Sequence, residues 1–451
     1  MWTSRSTEAY LTVTCHFVHN WQMVEYVLEA SPFTEKHTAA NISSALKRIT
    51  DDWGIRQKVI AVITDNGANV VAAVNMAGWT HYPCFAHTLN LVVKDAIKAV
   101  PEIVNLVKKC SNIVGYFHHS SKATEKLVEI QKQLNKPEHK LIQSVETRWN
   151  SAFYMLARLE EQKEAVTTVL CLIGRNDLCL GSEEVDLIHP TIEALRPFEE
   201  ATIETSASKH VSMSKVIPLV SVLLKATAAT EHQENILSRQ LLFQCQRRFH
   251  SIETFYGIGA CTFLDIRFRN IAFRNKDNLE NVKRRILAEM KENQLVPQAA
   301  SSVSNCASST PPAPTPPAPT PAAPTPAAPQ PTSSSTTSSV RGIWADFDTQ
   351  AVSSQQHRTA ATDALIELRH YLEEKIIPRD HDPLQWWKDH TQAFPFLSRL
   401  ASKYLGIVAS SVPSERIFSK TGELISQRRN RLKGKNVNML LFLNKNLGSQ
   451  K

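Results

Sequence analysis

The chain has 451 residues, a formal net charge of +8 and ordinary aromatic content. That length predicts two to four domains with a large core, and the basic balance suits a phosphate-bearing partner as well as it suits many soluble proteins. No apolar run reaches the length of a membrane span and no secretory leader is expected at the start, so neither a membrane protein nor a secreted one is indicated.

The eight cysteines stand at 15, 84, 110, 171, 179, 245, 261 and 306 without the spacing of a disulfide framework, which fits a reducing compartment. No paired Cys and paired His occur at finger spacing, so no structural zinc is expected. In chain order, the first ten residues read as the middle of a domain. From Tyr10 to Val18 polar and apolar residues alternate, with Leu11, Val13, Cys15 and Phe17 on one face, which predicts a half-buried strand. His19 and Asn20 offer a turn, Met23 to Leu28 the antiparallel return, and Ser31-Pro32 its end. Ile42, Leu46, Ile49 and Trp53 recur at helical spacing and predict an amphipathic helix over 38–53.

Lys58 to Thr64 is a continuous apolar run, as in a central strand covered on both faces. Asp65 follows at its C-terminal end, where open α/β sheets present their chemistry; a carboxylate there equally caps the next helix. Cys84 and His87 open an apolar helix, and Cys110, His118 and His119 are the nearby residues that could join them on zinc, at spacings that fit no finger. Helices are expected over 101–117 and 122–135, and a last strand over 141–145. Trp149 then reads as a core aromatic at a helix start, with Asn150 as cap. Residues 151–295 carry helical stripes such as Ile192, Leu195 and Phe198. Lys283-Arg284-Arg285 is a short basic cluster, either a solvated helix face or weak support for nuclear import.

Composition changes abruptly at 296–341, a Pro/Ser/Ala-rich stretch that cannot bury a core and predicts an extended, disordered spacer. A helix is expected over 358–376, followed by the Trp386-Trp387 pair. In Ser410-Ser-Val-Pro-Ser-Glu-Arg416, Ser414 reads as an N-cap after an extended Val412-Pro413. If buried, Glu415 needs a partner or a metal, and Arg416 beside it is one candidate. A basic run with Arg428, Arg429 and Arg431 precedes an apolar helix from Val437 to Leu447.

The segment from Ser410 to Gly422, the arginine-rich turn and Leu440-Leu441-Phe442-Leu443-Asn444-Lys445-Asn446 together resemble, almost residue for residue, the C-terminal dimerisation region of hAT-superfamily transposases and of the BED-finger proteins derived from them. Other stretches are similar to motifs of that family in the same order: Thr64-Asp65-Asn66-Gly67-Ala68-Asn69, Cys84 to Leu91, Thr147 to Ser151, Leu264-Asp265-Ile266-Arg267 (with Ile266 in place of a proline) and Asp382 to Trp387. The resemblance implies a predominantly helical protein built on an α/β ribonuclease-H-like core. Residues 1–150 would hold the first part of that core without its first strand, 151–295 a large all-α insertion, and 342–451 the completion of the core with the dimerisation region.

It further implies that Asp65 and Glu415 are the second and third of three acids that hold two divalent metals, Mg2+ or Mn2+ in an active enzyme, with the place of the first acid falling ahead of Met1. Cys84, His87 and Arg416 would lie near that cleft. Trp149 would stack on a nucleotide turned out of the duplex, and Arg148, Arg428, Arg429 and Arg431 would contact DNA. The expected protein is nuclear, self-associating as a homodimer or higher, and DNA-binding, with no membrane or small-molecule partner and no efficient cutting for want of one acid. Two alternatives stand beside it: a metal-dependent transposase or nuclease if the true N-terminus is longer, and a chromatin or SUMO-pathway regulator. All of this requires Asp65 and Glu415 to approach one cleft.

Overall fold

Asn20 and Trp21 both take positive φ, 49° and 60°, the two-residue turn whose twist matches that of an antiparallel hairpin. In the computed structural model, which describes residues 2–3, 9–145, 148–206, 210–231, 235–295, 360–417, 439, 442–444 and 446, this turn joins two eleven-residue strands. A short β1 (Trp2–Thr3) pairs antiparallel with β2 (Ala9–His19), which pairs antiparallel with β3 (Gln22–Pro32). The pairing Val13↔Glu29 is followed by Thr14↔Val27, so the register slips at Leu28. This bulge undoes the expected single inward row. Tyr10 and Leu11 are both buried, while Phe17 is 38% exposed and stacks on Tyr26.

The helix read from Ile42, Leu46 and Ile49 is α1 (Ala39–Asp52), capped by the Thr38 hydroxyl and ended at Trp53. The apolar run after it gives less strand than expected. Arg56–Lys58 closes a 3-10 turn, and within the run only β4 (Val62–Thr64) pairs as a strand. After α2 (Ala68–Ala77), β4 pairs in parallel with β5 (His81–Pro83); among the described residues this sheet has two strands, and β4 is half-buried rather than central. Ile42 and Leu46 pack on Ala73 and Val74 to join α1 and α2 against β2.

The chain continues through α3 (Phe85–Lys98), α4 (Pro101–His119), α5 (Ser121–Gln133), α6 (Trp149–Leu172), α7 (Ser182–Ser206), α8 (Val216–Glu231), α9 (Ile236–Phe249), α10 (Tyr256–Leu264), α11 (Lys276–Leu295), α12 (Ala360–Glu373), α13 (Pro383–His390) and α14 (Pro395–Leu405). The strand expected over 141–145 is absent. Both backbone groups of Val145 lie within hydrogen-bond distance of the Ser151 hydroxyl, at 2.7 and 2.9 Å, and among the described residues it pairs only through a single bridge to Arg148. Nor does Asn150 cap α6. Arg148 holds the cap position, and the Trp149 N–H is met by Asn90 Oδ1 at 3.3 Å.

The centre of the helical part is α10, buried from Gly257 to Leu264. Gly257 is required there because a Cβ would collide with the phenol of Tyr82, whose oxygen accepts the Gly257 N–H at 3.1 Å. Just beyond α10, Asp265 is fully buried and accepts from Arg267 Nε (2.9 Å), Arg267 Nη2 (2.7 Å) and Ser214 Oγ (2.6 Å). Arg267 Nη1 reaches on to the carbonyls of Arg379 and His381, and Arg269 Nη1 to those of Tyr371 and Glu374. The Trp387 indole N–H donates to the Leu264 carbonyl at 2.8 Å. These bonds fasten α12 and α13 to α10. At the hairpin, α14 comes so near that a Cβ on Gly406 would stand 3.0 Å from the Phe17 Cα, and Trp21 stacks on Trp387. The expected spacer at 296–341 lies outside the described residues.

Candidate functional site

Asp65 follows β4 directly and is exposed. Asn66 turns the chain with φ 66°, and Gly67 holds the cap position of α2. Asp65 is therefore not that helix's cap; its Oδ1 accepts a long hydrogen bond, 3.4 Å, from the Gly67 N–H. Next to it the Cys84 N–H donates to the Thr64 carbonyl at 2.8 Å, which extends the β4–β5 pairing by one step.

Cys84 links this edge to the far end of the chain. It caps α3, is fully buried, and its Sγ accepts the N–H of His87 at 3.4 Å and that of Ser411 at 3.3 Å. The neighbouring Phe85 N–H donates to the Ala409 carbonyl at 2.9 Å. Burial pushes the Cys84 thiol up; the Ser411 and His87 donors offset part of that, and nearby Glu415 adds to it. Such a thiol stays protonated at neutral pH and serves as an acceptor, not a nucleophile.

The helix carrying Glu415 begins earlier than the sequence suggests. Residues 412–417 are helical, and the Ser411 carbonyl accepts the Glu415 N–H at 3.2 Å. Ser411 thus stands in the cap place assigned to Ser414, whose hydroxyl instead donates back to the Ser411 carbonyl at 2.7 Å. Pro413 does not hold the chain extended, because its missing N–H falls in the first turn, where none is needed. Ser411 Oγ also donates to Glu415 Oε1 at 3.1 Å. Glu415 and Arg416 are both exposed, so the expectation of a buried acid in need of a partner falls away.

Asp65 and Glu415 therefore belong to segments stitched together by the two sides of one residue, Cys84. His81 lies beneath, its Nε2 2.8 Å from Thr64 Oγ1. Burial lowers the His81 pKa, against an opposing pull from Asp65. His81 and Ser411 are parts of this site that the sequence reading missed; the spacing of Ser411, four residues before Glu415, was the available signal for a cap. Trp149 is 3% exposed and packs edge-on against Phe153, while Arg148 is exposed. Burial pushes the Cys110 thiol up to about 12, and the His118 ring meets the Leu141 carbonyl at 3.1 Å. Among the described residues no three His, Cys, Asp or Glu side chains are grouped to hold a metal ion. Arg428, Arg429 and Arg431 lie outside the described residues.

Three family profiles match the chain: the ZBED1 RNase-like domain over residues 1–77, the ZBED1 RNase-like helical domain over 82–188, and the hAT family C-terminal dimerisation region over 367–447. The chain is similar to hAT transposases and to BED zinc-finger proteins. Its similarity to zinc finger BED domain-containing protein 4 of Homo sapiens is 26% identity over 99% of the chain and 37% of that protein. Zinc finger BED domain-containing protein 6 of Homo sapiens is 27% identical over 99% of the chain and 47% of its own length. A putative AC transposase of Zea mays is 23% identical over 98% of the chain and 55% of its own length. The chain thus spans roughly half or less of the curated relatives named. No described helix is long and apolar enough to cross a membrane.

Proposed function

We propose that this chain is a transposase-derived nuclear protein that binds DNA and self-associates through its C-terminal hAT region, on a ribonuclease-H-like core interrupted by a helical insertion. The observation that carries the reading is the Thr64–Cys84–Ser411 stitch, which supports Asp65 and Glu415 as two sides of one cleft. Arg148 at the start of α6, with Arg428, Arg429 and Arg431, supplies the phosphate contacts. Trp149 serves as the stacking platform for an unpaired base only if the α6 start moves it out of the core.

A pair of divalent metals held at such a cleft activates water and steadies the leaving oxygen of a cut strand. Two exposed carboxylates fall short of the charge and ligand number that two such ions require. As this 451-residue polypeptide, the function supported is DNA binding without efficient cleavage. The greater length of the relatives favours one further reading: joined to additional chain that brings a third acid, the same cleft is that of a metal-dependent transposase.

Anisotropy of a labelled DNA duplex titrated with the full chain tests the reading. Saturable binding that weakens steeply with salt is expected, with Arg148→Gln weakening it uniformly across sequences and no strand cutting on addition of Mg2+ or Mn2+. Absence of binding at low salt, or robust metal-dependent cutting, overturns it.

A further inference from the structure

At the other end of β4 and β5 from Asp65 and Glu415 lies a cleft of about 650 Å³. It is walled by the chain ahead of β4, the start of β5, the start of α10, and faces of α11 and α14. Three residues of strand, about 10 Å, separate the two places.

Charge in this cleft follows an uncommon arrangement. Glu289 stands four residues beyond Arg285 on α11, a spacing at which the two would ordinarily pair. Its carboxylate is taken instead by Lys403 Nζ at 2.8 Å and by the hydroxyls of Tyr256 and Tyr404, at 2.6 and 2.7 Å. Burial alone would raise the Glu289 pKa; these donors reverse that and hold it below the usual carboxylate range. Glu289 is thus ionised and already neutralised by its own neighbours.

Arg285 stacks instead, with Cζ 3.6 Å from the centroid of the Tyr256 ring. Stacking fixes a guanidinium while leaving its N–H donors unspent. Among the described residues neither Arg285 nor Lys58, which lines another wall, has an ion pair. Between them the cleft also presents apolar surface, the 38%-exposed Ile60 and the ring of Phe255. A bare inorganic anion would leave that surface unused, and a purely apolar ligand would leave two cations unmatched.

We propose that this cleft binds a nucleoside phosphate, with the phosphate on Arg285 and Lys58 and the base against the guanidinium face and the Ile60–Phe255 surface. Bases stack well on arginine planes and aromatic rings, and the volume suits a ligand of this size while a duplex cannot enter. The same chemistry comes either as a free mononucleotide or as the phosphorylated end of a single strand. His81 lines this cleft as well as reaching Thr64, but Arg285 and Lys58 have no part in the Asp65–Glu415 site, so substitutions at those two positions separate nucleotide binding from duplex binding.

The test titrates the full chain with fluorescent 1,N6-ethenoadenosine 5′-monophosphate and, in parallel, with a labelled 5′-phosphorylated oligothymidine. Saturable binding is expected, with ethenoadenosine lacking the phosphate binding about tenfold more weakly or worse, since bonds to charged groups are lost. Arg285→Gln and Lys58→Gln, both at exposed positions, should each weaken the nucleotide by about tenfold with an unchanged far-ultraviolet circular dichroism spectrum and unchanged duplex binding. A tighter fit for the oligothymidine that is lost in Arg285→Gln assigns the site to a strand end; equal or tighter mononucleotide binding assigns it to free nucleotide. No saturable binding of either probe, or binding indifferent to both substitutions, overturns the proposal.

Discussion

Glu367 on α12 is a carboxylate in an awkward place. It is 7% exposed, and its Oε1 accepts the N–H groups of Phe396 at 3.0 Å and Leu397 at 2.7 Å, the opening turn of α14. Burial pushes its pKa up to about 7, and those two donors hold it from rising further. The folded protein therefore keeps this proton at pH values where the unfolded chain, at about 4.3, has lost it. The resulting stability is complete below the unfolded value and fades as pH rises through about 7. Glu367→Gln keeps an acceptor for both N–H groups and removes the titration. Melting temperatures measured from pH 5 to pH 8 should fall less in this variant than in the parent chain; parallel profiles would show that Glu367 does not titrate there.

Between elements, the Asp265–Arg267 pair does what neither helix propensity nor apolar packing does, tying α10 to the stretch between α12 and α13. A buried ion pair adds little over apolar side chains, but removing one partner strands the other. Arg267→Ala leaves Asp265 charged at zero exposure and frees the Arg379 and His381 carbonyls, so a loss of about 3–5 kcal/mol is expected in urea unfolding. Arg267→Lys should recover only part, because an ammonium cannot fork; an unchanged midpoint in the alanine variant would refute the clasp. The sequence showed this motif but not its work, since its partners lie about a hundred residues on. The same holds at the site. The spacing of Ile42, Leu46 and Ile49 announced α1 because helical periodicity is local, and the Asp65 and Glu415 segments were visible as motifs. The run from Lys58 to Thr64 misled because an apolar stretch says nothing of how many neighbours a strand finds. Cys84 was expected near the cleft, but its part in joining the two segments became visible only with Ser411 arriving from the other end of the chain.

At the scale of the whole molecule, the two ends of the sequence close on each other. The side-chain amide of Asn446 accepts the Val27 N–H at 3.1 Å and donates to the Val27 carbonyl at 3.0 Å, occupying a place on β3 that another strand would take. Phe442 leans on Trp53 with ring centroids 5.9 Å apart. The region matched to hAT dimerisation is therefore also part of the protomer's own packing, and deleting it would confound folding with assembly. Surface substitutions separate the two. Around that contact Trp53, Met439 and Leu443 remain 42%, 55% and 42% exposed, apolar side chains of the kind that association buries. The full chain should sediment as a dimer or larger at micromolar concentration. Met439→Glu combined with Leu443→Glu should shift it to monomer with the same circular dichroism spectrum, because charges at a desolvated contact oppose association while costing little at an exposed position. A parent chain that is strictly monomeric, or a double variant that still sediments as the parent does, would place the self-association surface elsewhere or remove it.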